Sequence, residues 1–254
     1  MRRVKLTVAY DGTAYAGWQT QPNGPTIQSV MEQALGRILH EPIRLRAAGR
    51  TDAGVHAREQ VVDFADSGKR DLEAVVRGGN AFLPEDIRIL SAQEVPPEFD
   101  ARRHAREKEY RYFLLLSGIA FPFLSRYAWH IESPIDLGAV REALLFLVGE
   151  HDFTSFQGQG CAAQTPVRTI FHAGVTLYDA SGLPGLREPG LCSIDVTGSG
   201  FLRHMVRSIV GTVIDAGRGR CRPEAIARIL EKRSRSEAGV TAPACGLFLW
   251  KVNY

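Results

Sequence analysis

Val4-Lys5-Leu6-Thr7-Val8-Ala9-Tyr10 begins the legible part of the chain with a period of two. Val4, Leu6, Val8 and Tyr10 fall on one side and Lys5, Thr7 and Ala9 on the other, the pattern of a strand with one buried face. A Gly-rich connector follows over 11–25 and holds Trp18. Beyond it Ile27, Val30, Met31, Ala34, Leu35, Ile38 and Leu39 recur at helical spacing, with Thr26 placed to cap the start. Residues 43–47 and 60–64 read as short strands, and the glycines of Gly49-Arg50-Thr51-Asp52-Ala53-Gly54-Val55-His56 make the stretch between them a loop. A helix over 71–80 and, after Pro84, a strand over 87–95 complete the order β-α-β-β-α-β, the split ferredoxin-like unit.

The second half reads as a decorated copy in topology, without sequence identity to the first. Residues 110–116 form a strand, and Leu137, Val140, Leu144 and Leu147 mark a helix opened by Asp136. Strands over 167–178 and 191–196 flank a Ser-Gly-Leu-Pro-Gly turn at 181–185. A helix over 201–216 carries the wide apolar stripe Leu202, Met205, Val206, Ile209, Val210, Val213 and Ile214. Pro223 opens a helix over 224–232, and 247–252 ends the chain as a strand. The fold class expected is α+β, with two ferredoxin-like halves divided as 1–98 and 99–254.

With 254 residues, 44% of them hydrophobic and 23% charged, the chain is in the globular range, which excludes disorder, collagen-like repeats and fibrous coiled coil. The longest aliphatic and aromatic run, 143–148, falls far short of the ~20 residues a spanning helix needs. The alternating N-terminus has no apolar leader core, so the expected compartment is the cytoplasm and no membrane partner is expected. Cys161, Cys192, Cys221 and Cys245 lack Cys-x-x-Cys spacing and are expected as four buried free thiols rather than metal ligands. The spacing of the seven His suggests no triad.

Net charge is only +3, but Arg dominates the basic residues and is clustered. Arg44, Arg46, Arg50 and Arg58 face one acid within 44–58. Arg102, Arg103, Arg106, Lys108 and Arg111 face three within 99–111, and seven basic residues face Glu224 and Glu231 within 218–235. Each cluster reads as a solvated face or as part of a polyanion site.

Three constellations have two readings each. Asp52 is a turn-former, or a carboxylate kept ionised by a nearby cation and available as nucleophile or base. Tyr110 and Tyr112 share one strand face, as core aromatics or as a platform on which a base stacks. Gly198-Ser199-Gly200 before Phe201-Leu202-Arg203-His204-Met205-Val206-Arg207 tempts a dinucleotide reading, but Arg203 stands where that fingerprint needs its third glycine. Arg203 and Arg207 are one turn apart beside the apolar stripe, where an Arg needs a carboxylate partner, and Asp52 is the candidate for Arg207. A non-catalytic RNA-binding protein and a nucleotide-dependent enzyme remain rivals at this point.

The loop Gly-Arg-Thr-Asp-Ala-Gly-Val-His-Ala, with Gln60-Val61 after it, resembles the catalytic loop of the TruA-type tRNA pseudouridine synthases. Asn80-Ala-Phe-Leu-Pro-Glu-Asp-Ile, Phe99-Asp-Ala-Arg-Arg-His-Ala, Lys108-Glu-Tyr-Arg-Tyr, His151-Asp-Phe-Thr-Ser-Phe, Gly200-Phe-Leu-Arg-His-Met-Val-Arg and Ala242-Pro-Ala-Cys-Gly-Leu also resemble that family's blocks, in its order. The resemblance spans essentially the whole chain. It implies an isomerase that needs no cofactor and no metal and converts uridine to pseudouridine at positions 38, 39 and 40 of the tRNA anticodon stem-loop. By the same resemblance Asp52 is the catalytic carboxylate, Tyr110 packs on the target uracil, and Arg207 pairs with Asp52. Arg50 meets the flipped nucleotide or its backbone, and Leu247 lines the apolar side of the base pocket. Phe99, Asp100, Ala101, Arg102 and Arg103 contact RNA, as does the loop over 157–165. A pseudouridine synthase fold with a mostly antiparallel central sheet, a cleft between the halves and a homodimer as the assembly are implied too.

Overall fold

The computed structural model describes residues 1–68, 70–161, 163–179 and 190–254. It is an α+β protein. In chain order its elements are β1 (Arg2–Tyr10), α1 (Ile27–Leu39), β2 (Arg46–Ala47), β3 (His56–Asp66), α2 (Leu72–Phe82), β4 (Ile87–Val95), β5 (Glu107–Leu116) and β6 (Trp129–Ile131), then α3 (Leu137–Leu145), β7 (Gly149–Asp152), β8 (Val167–Tyr178), β9 (Leu191–Gly198), α4 (Met205–Gly217), α5 (Ala225–Lys232) and β10 (Leu247–Asn253). They fall into two compact units, Met1–Arg106 with Phe248–Tyr254, and Glu107–Leu247.

In the first unit the strands run β4-β1-β3-β10, with β2 beside β3. β1 is antiparallel to both neighbours, and β10 joins β3 in parallel through Phe248↔His56 and Leu249↔Ala57. The alternation of β1 is realised in full, since Val4, Leu6 and Val8 are completely buried. Thr26 caps α1 reciprocally: its hydroxyl accepts from the Ser29 N–H, and the Ser29 hydroxyl oxygen accepts from the Thr26 N–H. α2 is capped by Asp71, whose carboxylate accepts from the Ala74 N–H, and it stops at Leu83 because Pro84 disfavours helical backbone in the residue before it. β3 starts at His56, four residues earlier than its apolar run suggests, and β2 shrinks to two residues.

In the second unit the order is β5-β9-β8-β7, antiparallel throughout, with β6 parallel to β5. α3, capped by Asp136, packs on β8 and against α4. α4 is buried on nearly all sides. It begins at Met205 rather than at 201, because His204 takes a left-handed backbone (φ 61) that a right-handed helix cannot include. Arg203 therefore precedes the helix and is exposed, a correction to its expected place one helical turn from Arg207. β6 and β7 were not expected; both are short, and Gly149-Glu-His-Asp has no apolar alternation to reveal it.

The four thiols are free, but only Cys192 is buried; Cys161, Cys221 and Cys245 are partly exposed. Burial pushes the Cys192 thiol up to about 12. The turn expected at 181–185 lies outside the described residues, as does one residue of the 157–165 loop. Among the described residues no helix is long and apolar enough to cross a membrane, and no group of three His, Cys, Asp or Glu is arranged to hold a metal ion.

Candidate active site

Asp52 sits in the first unit, in the loop between β2 and β3. Exposure alternates along it: Arg50 is exposed, Thr51 is buried and Asp52 is partly exposed. Thr51 is turned inward, its hydroxyl 2.8 Å from the Tyr10 hydroxyl and its carbonyl accepting from the Trp18 N–H at 3.0 Å. Gln60, fully buried on β3, donates from its amide nitrogen to the Gly49 carbonyl at 2.8 Å. Val55 closes the turn by donating to the Asp52 carbonyl at 3.1 Å.

The connector over 11–25 packs on this loop backbone to backbone. A Cβ on Gly12 would lie 2.0 Å from the Val55 carbonyl oxygen. Gly17 has φ +100, and a Cβ there would lie 2.8 Å from the Thr51 carbonyl oxygen. The Gly12 N–H donates to Nδ1 of His56, whose ring stacks on Phe248 at 4.5 Å. The loop is thus held from the strand side and the connector side. Arg50 is the exposed residue of the loop's first half, and Asp52 stays partly exposed.

Phe99, Asp100, Ala101, Arg102 and Arg103 also belong to the first unit, anchored by Asp63. That buried carboxylate accepts from the Ala101 N–H at 2.8 Å, from Arg3 at 3.0 Å and from Arg46 at 2.6 Å. Arg46 reaches on to the Phe99 carbonyl at 2.8 Å and to Asp100 at 3.1 Å. Burial raises the Asp100 carboxyl, but the N–H groups of Arg103 and Arg102 and the charge of Arg46 outweigh it and hold the group below its usual range. Phe99 packs on Tyr254, whose hydroxyl donates to the Ala101 carbonyl at 2.8 Å. Ala101 is completely buried, while Arg102 and Arg103 are exposed.

Tyr110, Arg207 and Leu247 lie in the second unit. Tyr110 is buried on β5 and meets the edge of Phe201 with ring centroids 5.0 Å apart. Tyr112, completely buried two residues on, donates to the Pro243 carbonyl at 2.8 Å. Arg207 exchanges hydrogen bonds with Ala242: its Nε donates to the Ala242 carbonyl at 2.8 Å, and the Ala242 N–H returns to the Arg207 carbonyl at 3.0 Å. These bonds gather β5, α4 and the segment that ends in buried Leu247. The 157–160 stretch closes on the turn before α4, with Gly158 donating to the Arg203 carbonyl at 2.7 Å and Arg203 to the Gln159 carbonyl at 3.1 Å.

A family model described as tRNA pseudouridine synthase matches residues 6–102 and 143–254, which include Arg50, Asp52, the 99–102 segment, Arg207 and Leu247 but not Arg103 or Tyr110. The chain belongs to the tRNA pseudouridine synthase family. It is 49% identical to tRNA pseudouridine synthase A of Pelobacter propionicus and 46% identical to that of Geobacter sulfurreducens, each over the full length of both chains. It is 44% identical to tRNA pseudouridine synthase A of Exiguobacterium sp., over all of this chain and 98% of that one. The synthase is an isomerase acting on uridine in tRNA.

Sequence reasoning missed the groups that hold the Asp52 loop. Gln60 reads only as following the loop and Tyr10 as a strand position; their meeting at Thr51 and Gly49 is what joins both to the Asp52 loop. Asp63 was missed as well, because the sequence gives no hint that three donors converge on it.

Proposed function

We propose that this synthase converts uridine to pseudouridine at positions 38, 39 and 40 of the tRNA anticodon stem-loop, with Asp52 as the catalytic carboxylate. The observation that carries the reading is the alternation along the Asp52 loop. Thr51 is bonded inward, while Arg50 before it is exposed and Asp52 after it partly exposed. A carboxylate on a loop fixed at both ends loses little freedom when the substrate arrives, which is the condition for oriented attack or proton transfer.

The reaction cleaves the N1–C1′ bond, turns the uracil and rejoins it through C5, with the C5 hydrogen leaving as a proton and N1 taking one up. No electrons are exchanged with any other molecule, and the reading includes no cofactor and no metal. A paired or stacked uridine must leave the stem-loop first, at a cost of a few kcal/mol. In this reading Tyr110 packs on the uracil, Leu247 lines its apolar side, Arg50 meets the nucleotide backbone, and Arg207 keeps Asp52 ionised. Arg102 and Arg103 meet phosphate oxygens from a segment whose other members, Phe99, Asp100 and Ala101, fix its shape. Two ferredoxin-like halves with the cleft between them, a homodimer holding the tRNA, and a cytoplasmic location belong to the same reading.

The test uses unmodified tRNA carrying tritium at uracil C5. Forming the C5–C1′ bond releases the label to water. Wild-type protein is expected to release it, and Asp52→Asn to lose release while keeping tRNA affinity within a few-fold, because the amide matches the carboxylate in shape but is neither nucleophile nor base. Normal release by Asp52→Asn overturns the assignment of Asp52. Tight binding without release by the wild type overturns the catalytic reading.

A further inference from the structure

The Asp52 loop is tied to two side chains that the reaction itself does not call for. Gln60 donates from one amide nitrogen to the Gly49 carbonyl at 2.8 Å and to the Tyr10 hydroxyl oxygen at 3.4 Å. The same Tyr10 hydroxyl shares a hydrogen bond with Thr51 Oγ1 at 2.8 Å. All three residues are buried. Burial raises the Tyr10 phenol to about 12 against the smaller opposing pull of its bonds to Thr51 and Gln60, so it stays protonated.

The arrangement carries a cost. Gln60 Oε1 is buried without a hydrogen-bond partner among the described residues, and an orphaned acceptor lowers stability. A leucine or methionine on β3 would fill the space without that penalty, so the amide is not explained by packing. What it does is grip the main chain just before Arg50, while Tyr10 grips the side chain just after it.

We propose that Tyr10, Gln60 and Thr51 are positioning residues for Asp52, holding the chain at Gly49 and Thr51 so that Arg50 and Asp52 leave the loop in fixed directions. The inference rests on Asp52 being the catalytic carboxylate, and it adds what sets the aim of that carboxylate. Loss of the tether leaves Arg102 and Arg103 and their anchored segment in place but lets the carboxylate, and Arg50 beside it, swing; a displacement of about 1 Å at a reacting group is worth up to ~10²-fold in rate.

The experiment compares Tyr10→Phe, Thr51→Val, the double variant, Thr51→Ser and Asp52→Asn in the full chain, by tritium release under steady-state and single-turnover conditions and by tRNA binding. Tyr10→Phe and Thr51→Val are each expected to lower kcat about tenfold, with KM and tRNA affinity unchanged within a few-fold. The double variant falls no further than either single one, since both remove the same bond. Thr51→Ser, which restores the hydroxyl, returns to near wild-type kcat. Wild-type kcat in Tyr10→Phe, a loss seen in KM rather than kcat, or additive losses in the double variant would overturn the proposal. If Tyr10→Phe does not fold, Thr51→Val against Thr51→Ser decides alone: equal kcat overturns it. Asp52→Asn separates the two claims, because its inactivity beside an unaffected Tyr10→Phe removes the tether and leaves the catalytic carboxylate standing.

Discussion

At the scale of single residues, Asp63 on β3 is fully buried and satisfies Arg3, Arg46 and the Ala101 N–H at once. Breaking a buried ion pair costs about 3–5 kcal/mol, and the figure is lower here because both Arg side chains reach water. Asp63→Asn is expected to destabilise the protein by about 2–3 kcal/mol in urea unfolding, and to weaken tRNA binding by releasing the segment that presents Arg102 and Arg103. An unchanged unfolding midpoint would show that the convergence on Asp63 contributes nothing. Asp52 reads locally as a turn-former or as a held carboxylate, and it is the family resemblance, not the loop alone, that singles it out. Asp63 was not legible, since a carboxylate inside the apolar run Val61-Val62-Asp63-Phe64 announces only that something must meet it. Ala101 shows the opposite error of reading: a block that resembles an RNA contact holds a completely buried methyl group, whose part is to seat its neighbours.

At the scale of elements, periodicity and caps carried the reading. β1 and α1 stand where alternation and helical spacing put them, because their apolar faces are unbroken; β4 and β8 also lie at their expected bounds, although only part of each is buried. Departures come where a backbone angle or a polar contact decides instead of a pattern. The apolar stripe runs back to Leu202, yet α4 waits for Met205 because of the left-handed turn at His204. β3 runs four residues ahead of its apolar core because ladder bonds to β1, and the parallel pairing with β10, extend it through Ala57. Capping gives the sharpest prediction at this scale. Thr26 is completely buried at the start of α1 and is bonded in both directions to Ser29. Thr26→Ala is expected to cost about 1–2 kcal/mol, the upper part of the capping range, read as a lowered Tm. A Tm equal to wild type would remove the capping box from the list of what holds α1.

At the scale of the whole molecule, the Arg-rich composition has been divided by the structure into two uses. Arg3 and Arg46 are engaged with Asp63, and Arg2 with Asp66. Arg50, Arg102 and Arg103 are exposed. The internal pairs take three Arg and two Asp, so the net charge of +3 says little about how charge is arranged on the surface. tRNA affinity is expected to fall linearly on a log–log plot against salt, as phosphate contacts release counterions. A flat response between low and moderate salt would remove the electrostatic account of binding. Charge balance and clustering were legible in the sequence; which arginines are occupied was not, since that depends on long-range partners.

The final strand completes the first unit from the far end of the chain, with Phe248 and Leu249 paired to His56 and Ala57. During translation the residues of β1 to β4 leave the ribosome long before β10 exists, and domains begin to fold as they emerge. Beyond the short pairing with β2 at Val62 and Asp63, the start of the strand that follows the Asp52 loop must then wait with one edge unpaired, an open template for other chains. His56 gains its stacking partner Phe248 only once residue 248 has been made. A message truncated just before this strand thus yields a protein that has Asp52 and the loop that carries it, and lacks both Leu247 and the strand that finishes the scaffold of that loop.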